Sequence, residues 1–291
     1  MSQVKDEAVV KIGTCALCDK KNIELRLSHS IPKFAFDWVK ETSSTPFLRE
    51  INDVNIRHQD GPKQHLLCDA CEGKLSVYEE EFAVNIFKRI ANYRKQAQKL
   101  HINENMKIAI LSIFWRTLLT TKDNDNDRID EDNVALDDFL FNAKKQINEN
   151  RCDYTLYFAP IYGEPPHYGL SIDMTYDLDR SVGGQDMRFF DNPHRFIALF
   201  KLPFMYFFIM EGEWGAEELN CAAKFESGLI EIESIKSMPS VLINIIKKDH
   251  EKFLDSIYTM DEKSKLAIVK SISKKKGITG SDKSLKRAKW D

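Results

Sequence analysis

Between residues 23 and 28 the chain alternates apolar and polar side chains, Ile23-Glu24-Leu25-Arg26-Leu27-Ser28, and soon afterwards Phe34, Phe36, Trp38 and Val39 follow an amphipathic spacing. The first pattern predicts a half-buried strand that ends before Pro32, the second a short helix with its aromatic residues packed inward. Residues 76–100 hold Val77, Phe82, Ile86, Phe87 and Ile90 near helical spacing, and Ser76 with Glu79 forms a capping box, which predicts a helix starting at Ser76. Residues 104–119 are apolar on nearly every side, the mark of a helix at the centre of a core. Another helix is expected over 132–149. From Cys152 onward the period shortens, and 154–159, 169–174, 195–200, 204–210 and 228–232 read as strands of a mixed or antiparallel sheet. Pro239 opens a helix to about Tyr258, and a last one covers 261–273. The fold class is therefore α+β, with a helical segment, a sheet and C-terminal helices following an N-terminal module.

With 291 residues and 43% hydrophobic side chains the chain can bury one large core or two modest ones. Changes in pattern suggest three parts: 1–100, 101–273 and a flexible basic tail over 274–291. The net charge of -3 gives no global attraction to nucleic acid, so an anionic partner needs a local basic patch. The tail offers one in Lys274, Lys275 and Lys276, followed by Lys283, Lys286, Arg287 and Lys289, read either as a solvated tail or as an arm that grips phosphates. The longest apolar stretch, 196–210, is broken by Lys201 and Pro203 and is too short to span a membrane. No secretory pattern opens the chain, and a cytoplasmic location is expected. Asp123 to Asp127 imitates a calcium loop, but Arg128 and Val134 stand where glycine and glutamate are required.

Two Cys-x-x-Cys pairs carry the clearest chemistry: Cys15 with Cys18, and Cys68 with Cys71. Four thiolates at tetrahedral corners make a closed structural zinc site, and in a reducing compartment paired cysteines more often hold metal than form disulfides. A redox role is disfavoured because neither pair sits in a thioredoxin-like setting. Cys152 and Cys221 stand alone and read as small buried side chains.

The order of these features, Cys15-x-x-Cys18, a strand ending in His29-x-Ile31-Pro32, then Leu67-Cys68-x-x-Cys71 before a helix, resembles the zinc-stabilised branch of the HNH nucleases over about residues 12–90. That resemblance implies a treble-clef, ββα-metal module in which the cysteines hold a structural Zn²⁺ and His29 is the general base. It also implies a catalytic Mg²⁺ or Mn²⁺, DNA as substrate, and a setting such as bacterial defence. The chain departs from the family pattern at three places. Ser28 stands where an acid usually precedes the histidine, Lys63 where an asparagine is common, and Glu72 where a metal-binding histidine usually follows the fourth cysteine. Glu72 and Asp60 are the carboxylates that can replace the missing ligands, since hard cations take oxygen donors.

On this reading His29, Glu72 and Asp60 are the catalytic candidates. Arg57, His58 and Lys63 join Lys274, Lys275 and Lys276 as the nucleic-acid contacts. Each has a plain structural reading too: a knuckle histidine, a carboxylate at a helix start, a turn former, and solvated cations. The second reading of function is a non-catalytic zinc module that binds nucleic acid or a protein partner. In either case the C-terminal region would supply recognition, regulation or a homodimer contact.

Overall fold

The computed structural model describes residues 10–124, 128–184, 187–190 and 195–290. β1 (Lys11–Gly13), β2 (Ile23–His29) and β3 (Lys63–Cys68) form an antiparallel sheet in that order, and α1 (Lys33–Thr42) follows Pro32 as the pattern predicts. The register pairs Leu25 with Cys68 and His29 with Lys63, with a bulge between Arg26 and Leu27. α2 (Asp69–Phe82) springs directly from β3, seven residues before the expected start at Ser76. Cys68 is extended and serves as the N-cap, while Asp69 and Glu72 set carboxylates against the positive helix end. Ser76 lies inside the helix and donates to the Gly73 carbonyl, so it caps nothing. A π turn at Ala83–Phe87 leads into α3 (Lys88–Ile90). The helix therefore stops ten residues before residue 100, and β4 (Lys99–Ile102) occupies its expected end.

α4 (Glu104–Thr121), capped by Asn103, is buried from Met106 to Leu118 apart from Lys107. α5 (Asp130–Asn148) packs against it. β5 (Tyr157–Pro160), α6 (Thr175–Arg180), β6 (Gly183–Gly184), β7 (Arg188–Phe190), β8 (Arg195–Leu202) and β9 (Met205–Glu211) come next. The strands make an antiparallel sheet ordered β5-β9-β8-β6, with β7 also paired to β8. Residues 169–174, expected as a strand, instead turn: Tyr168 and Gly169 are left-handed and a 3-10 turn at Ile172–Met174 feeds α6. α7 (Ala216–Asn220) precedes β10 (Gly228–Glu231), which leaves the main sheet to pair with β4. The expected boundary at residue 100 thus falls inside a paired strand, and one hydrophobic core crosses it. Phe82 of α2 meets Phe207 of β9 at 5.7 Å and Phe225 at 6.4 Å. Among the described residues no helix is long and apolar enough to cross a membrane. Asp125 to Asp127 of the acidic loop lie outside the described residues.

α8 (Ser240–Tyr258) and α9 (Glu262–Ile272) match their predicted spans within one residue. The chain end does not match. Residues expected as a flexible tail include α10 (Gly280–Ala288), which opens on a capping box of Thr279 and Asp282 and docks on α6. Ser284 and Arg287 both bond the Asp179 carboxylate, at 2.9 and 3.0 Å, and Asp179 is fully buried. Tyr93 reaches Ser284 at 2.7 Å, and Arg180 ties the same cluster to Val39, Thr42 and Ser43 at the end of α1. Gly280, Ser281, Ser284 and Ala288 form a buried face of α10 opposite its lysines, which dominate the local composition. Lys274, Lys275 and Lys276 remain exposed between α9 and α10.

Arg287→Ala leaves Asp179 buried without its cation and should cost about 3 kcal/mol in a denaturant melt, whereas Arg287→Ala with Asp179→Asn should cost clearly less than the two separate losses combined. His167, 3.3 Å from Arg287, has its pKa lowered from 6.5 to about 4 by burial and then by the Arg287 charge. The unfolded chain therefore binds this proton before the folded one does, so stability is complete above pH 6.5 and declines as pH falls towards 4. In a series of melting temperatures against pH, His167→Gln should flatten that arm.

Candidate metal centre and histidine site

The β2–β3 pairing brings together two cysteine pairs fifty residues apart. Cys15 to Cys18 form a knuckle closed by Asp19 N–H donating to the Cys15 carbonyl at 3.0 Å, with Asp19 itself left-handed. Ala16 N–H donates to Leu66 O at 3.0 Å, and Cys68 N–H points at Cys15 Sγ at 3.3 Å, so β3 is laced to the knuckle. α5 buttresses it from outside, through Asn148 to the Leu17 carbonyl at 2.8 Å and Lys144 to Asp19 at 2.6 Å. The four sulfurs all lie within 4.8 Å of one another, and Cys18 and Cys68 are 3.8 Å apart. Metal–sulfur bonds of about 2.3 Å at tetrahedral angles require sulfurs about 3.8 Å apart, so the donor set suits Zn²⁺ after a small contraction. Burial opposes ionisation of Cys15, but N–H groups of Cys18, Cys68 and Leu17 outweigh it and lower its pKa from 9.0 to about 7, while burial and the neighbouring thiols push Cys18 and Cys71 up, as crowded sulfurs without a cation do. All six cysteines are free thiols; Cys152 is buried and Cys221 half-buried.

The same pairing aims the last residues of β2. Ser28, 2% exposed, donates its hydroxyl to Glu72 Oε2 at 2.7 Å, so the serine at the departure site orients the acid that follows Cys71. On the opposite face of the strand, His29 Nε2 lies 3.1 Å from Asp60 Oδ1, and Lys63 Nζ lies 2.6 Å from Asp60 Oδ2. Asp60 gets there through its turn. Gly61 rests on the Phe36 ring so closely that a Cβ would sit 2.2 Å from Cε2, and the His29 ring stacks on Phe36 at 6.4 Å. Burial works against the Asp60 charge, yet Lys63, His29 and the Gly61 N–H together hold its pKa at about 2. The Asp60 carboxylate is therefore ionised and lies 3.1 Å from the His29 ring.

Two residues beyond the predicted set belong to this neighbourhood. Glu79, one heptad after Glu72 on α2, is ion-paired to Arg116 of α4, and its pKa is raised by burial despite that pairing. Glu72 and His29 are close enough to perturb it electrostatically. Arg116 was the available signal: the one charge among residues 108–121 of α4 requires a partner, and it is 1% exposed. Other predicted contacts lie elsewhere. Arg57 stacks on Phe47 at 4.8 Å, and His58 faces Glu50 at 3.5 Å within a bridge to Leu48. Lys63 joins Asp60, whereas Lys274 to Lys276 belong to the α9–α10 turn. No family model, curated protein or solved structure matches the chain.

Purified from zinc-containing medium, the protein should carry one zinc per chain by elemental analysis, and Cys68→Ser should abolish it. Because metal binding at such a site is coupled to folding, a chelator should lower the melting temperature of the wild type and leave that of the variant unchanged. Gly61→Ala should push the turn off Phe36 and separate Asp60 from His29. The NMR chemical shifts of the His29 ring should then move as they do in Asp60→Ala.

Proposed function

We propose that the chain is an HNH-type metal-dependent endonuclease acting on DNA. The observation that carries this reading is His29 at the end of β2, held against ionised Asp60 beside the four-cysteine cluster. Asp60 holds the imidazole in place, and a ring nitrogen of His29 takes the proton from the attacking water. Glu72, half-exposed and oriented by Ser28, is the carboxylate that would offer oxygen to Mg²⁺ or Mn²⁺, whereas Asp60 lies across the strand and is paired with His29 and Lys63. Such an ion, when bound, neutralises charge developing on the scissile phosphate. The cysteines do no chemistry; a zinc among them would hold β2, β3 and α2 rigid. The second reading, a non-catalytic zinc module that binds nucleic acid or a protein partner, is favoured by one contact. Lys63 already supplies Asp60 with a cation at 2.6 Å, as a purely structural ion pair would.

Incubation with supercoiled plasmid and Mg²⁺ or Mn²⁺ separates the two. The nuclease reading expects nicking that His29→Ala reduces by roughly 10²–10⁴-fold, the usual worth of a general base. No cleavage with either metal, together with a retained gel shift of DNA, would establish the binding module instead.

A further inference from the structure

Away from the zinc module, β7, β8, α7 and the first turns of α8 enclose a cleft of about 520 Å³, within the range of small-molecule sites. Its lining has two chemistries. The Arg195 guanidinium lies 4.8 Å over the Trp214 ring, and Phe190 meets that ring edge-on at 5.5 Å. Trp214 Nε1 donates to the Glu211 carbonyl at 2.9 Å, which fixes the plane of the indole. The result is a flat platform of indole and guanidinium. From α8 come Ser240, Asn244 and Lys248, at the four-residue spacing that puts them on one helix face. The acid in the lining, Glu218, is committed to the helix end, accepting from Ser240 N–H at 2.8 Å and from its hydroxyl. Arg188 lies 3.4 Å from Asp249.

We propose that this cleft binds a nucleotide, with the base stacked on the Arg195–Trp214 platform and the phosphate held by Lys248 and the Asn244 amide. Bases stack on guanidinium planes as well as on aromatic rings, and Arg and Lys are the side chains that hold phosphate. A purely apolar ligand would desolvate the cations without return, and a simple anion would leave the platform unused. The proposal stands apart from the nuclease reading. α8 carries the cleft at its first turns, while past its far end Thr259 and Asp261 bond Asn55 in the loop that leads to Asp60. From Lys248 to Thr259 the helix therefore separates the two regions by roughly 16 Å. A free mononucleotide and an unpaired nucleotide of a strand share this chemistry.

The test titrates the full chain with AMP, adenosine, inorganic phosphate and a single-stranded oligonucleotide, read by calorimetry and by tryptophan fluorescence. AMP is expected to bind with a Kd of about 1 mM or tighter, and adenosine and phosphate at least about tenfold more weakly. Lys248→Glu, an exposed substitution that the fold tolerates, should weaken AMP about tenfold and leave adenosine unchanged. Trp214→Phe should retain binding and lose the fluorescence response. An oligonucleotide that binds more tightly than AMP with the same dependence on Lys248 assigns the cleft to a strand; the reverse order assigns it to a free nucleotide. Phosphate binding as tightly as AMP, AMP binding indifferent to Lys248→Glu, or no binding of AMP and oligonucleotide would each overturn the proposal.

Discussion

The antiparallel pairing of β2 with β3 is the constraint from which the candidate chemistry follows. It joins segments forty residues apart in one register, with Leu25 opposite Cys68 and His29 opposite Lys63. A single ladder thereby sets the distance between the two cysteine pairs and the position of His29 relative to the turn that holds Asp60. Because side chains alternate along a strand, Ser28 must face α2 when His29 faces that turn. A slip of one residue would exchange them, setting a hydroxyl against Asp60 and an imidazole against Glu72. Four sulfurs confined within 4.8 Å make such a slip costly, so the cysteine cluster acts as a lock on register as well as a staple.

The rest of the molecule supports that ladder from behind. α4 crosses under α2 and sends in Arg116, while α5 ends against the knuckle through Asn148 and Lys144. A chain of aromatic contacts from Phe87 through Phe34 and Phe82 to Phe207 runs from the module into the five-stranded sheet. The N-terminal module is consequently one end of a larger core, and the burial that stabilises it is shared with elements more than a hundred residues away. The C-terminal helix closes the arrangement from the other side, by tying α6 and the end of α1 to Asp179 and Tyr93.

Departures from the nuclease pattern look different in this setting. Ser28 fails as a metal ligand, yet it orients Glu72 at 2.7 Å. Lys63 lacks the amide of an asparagine, yet it neutralises Asp60 from the position opposite His29. The acid absent before the histidine is replaced by one from a turn more than thirty residues later.

Local pattern alone determined much of this protein. The alternation over β2, the Cys-x-x-Cys pairs, the buried helix α4, the hairpin of β8 and β9 and the last long helices all rest on interactions within a few residues, which sequence records directly. The tertiary structure decided what depends on distant partners. The start of α2 moved to Asp69 because β3 delivers Cys68 there, overriding a plausible cap at Ser76. β10 left the main sheet because β4 offered it an edge, and a lysine-rich tail became a docked helix because Asp179, buried by other elements, needed Arg287. For the same reason His29, Glu72 and Asp60 were legible as candidates, whereas the pairing of Lys63 with Asp60, the service of Ser28 to Glu72 and the Arg116–Glu79 pair were not. Those contacts are set by register and by a glycine turn packed on Phe36, and neither leaves a periodic mark in the chain.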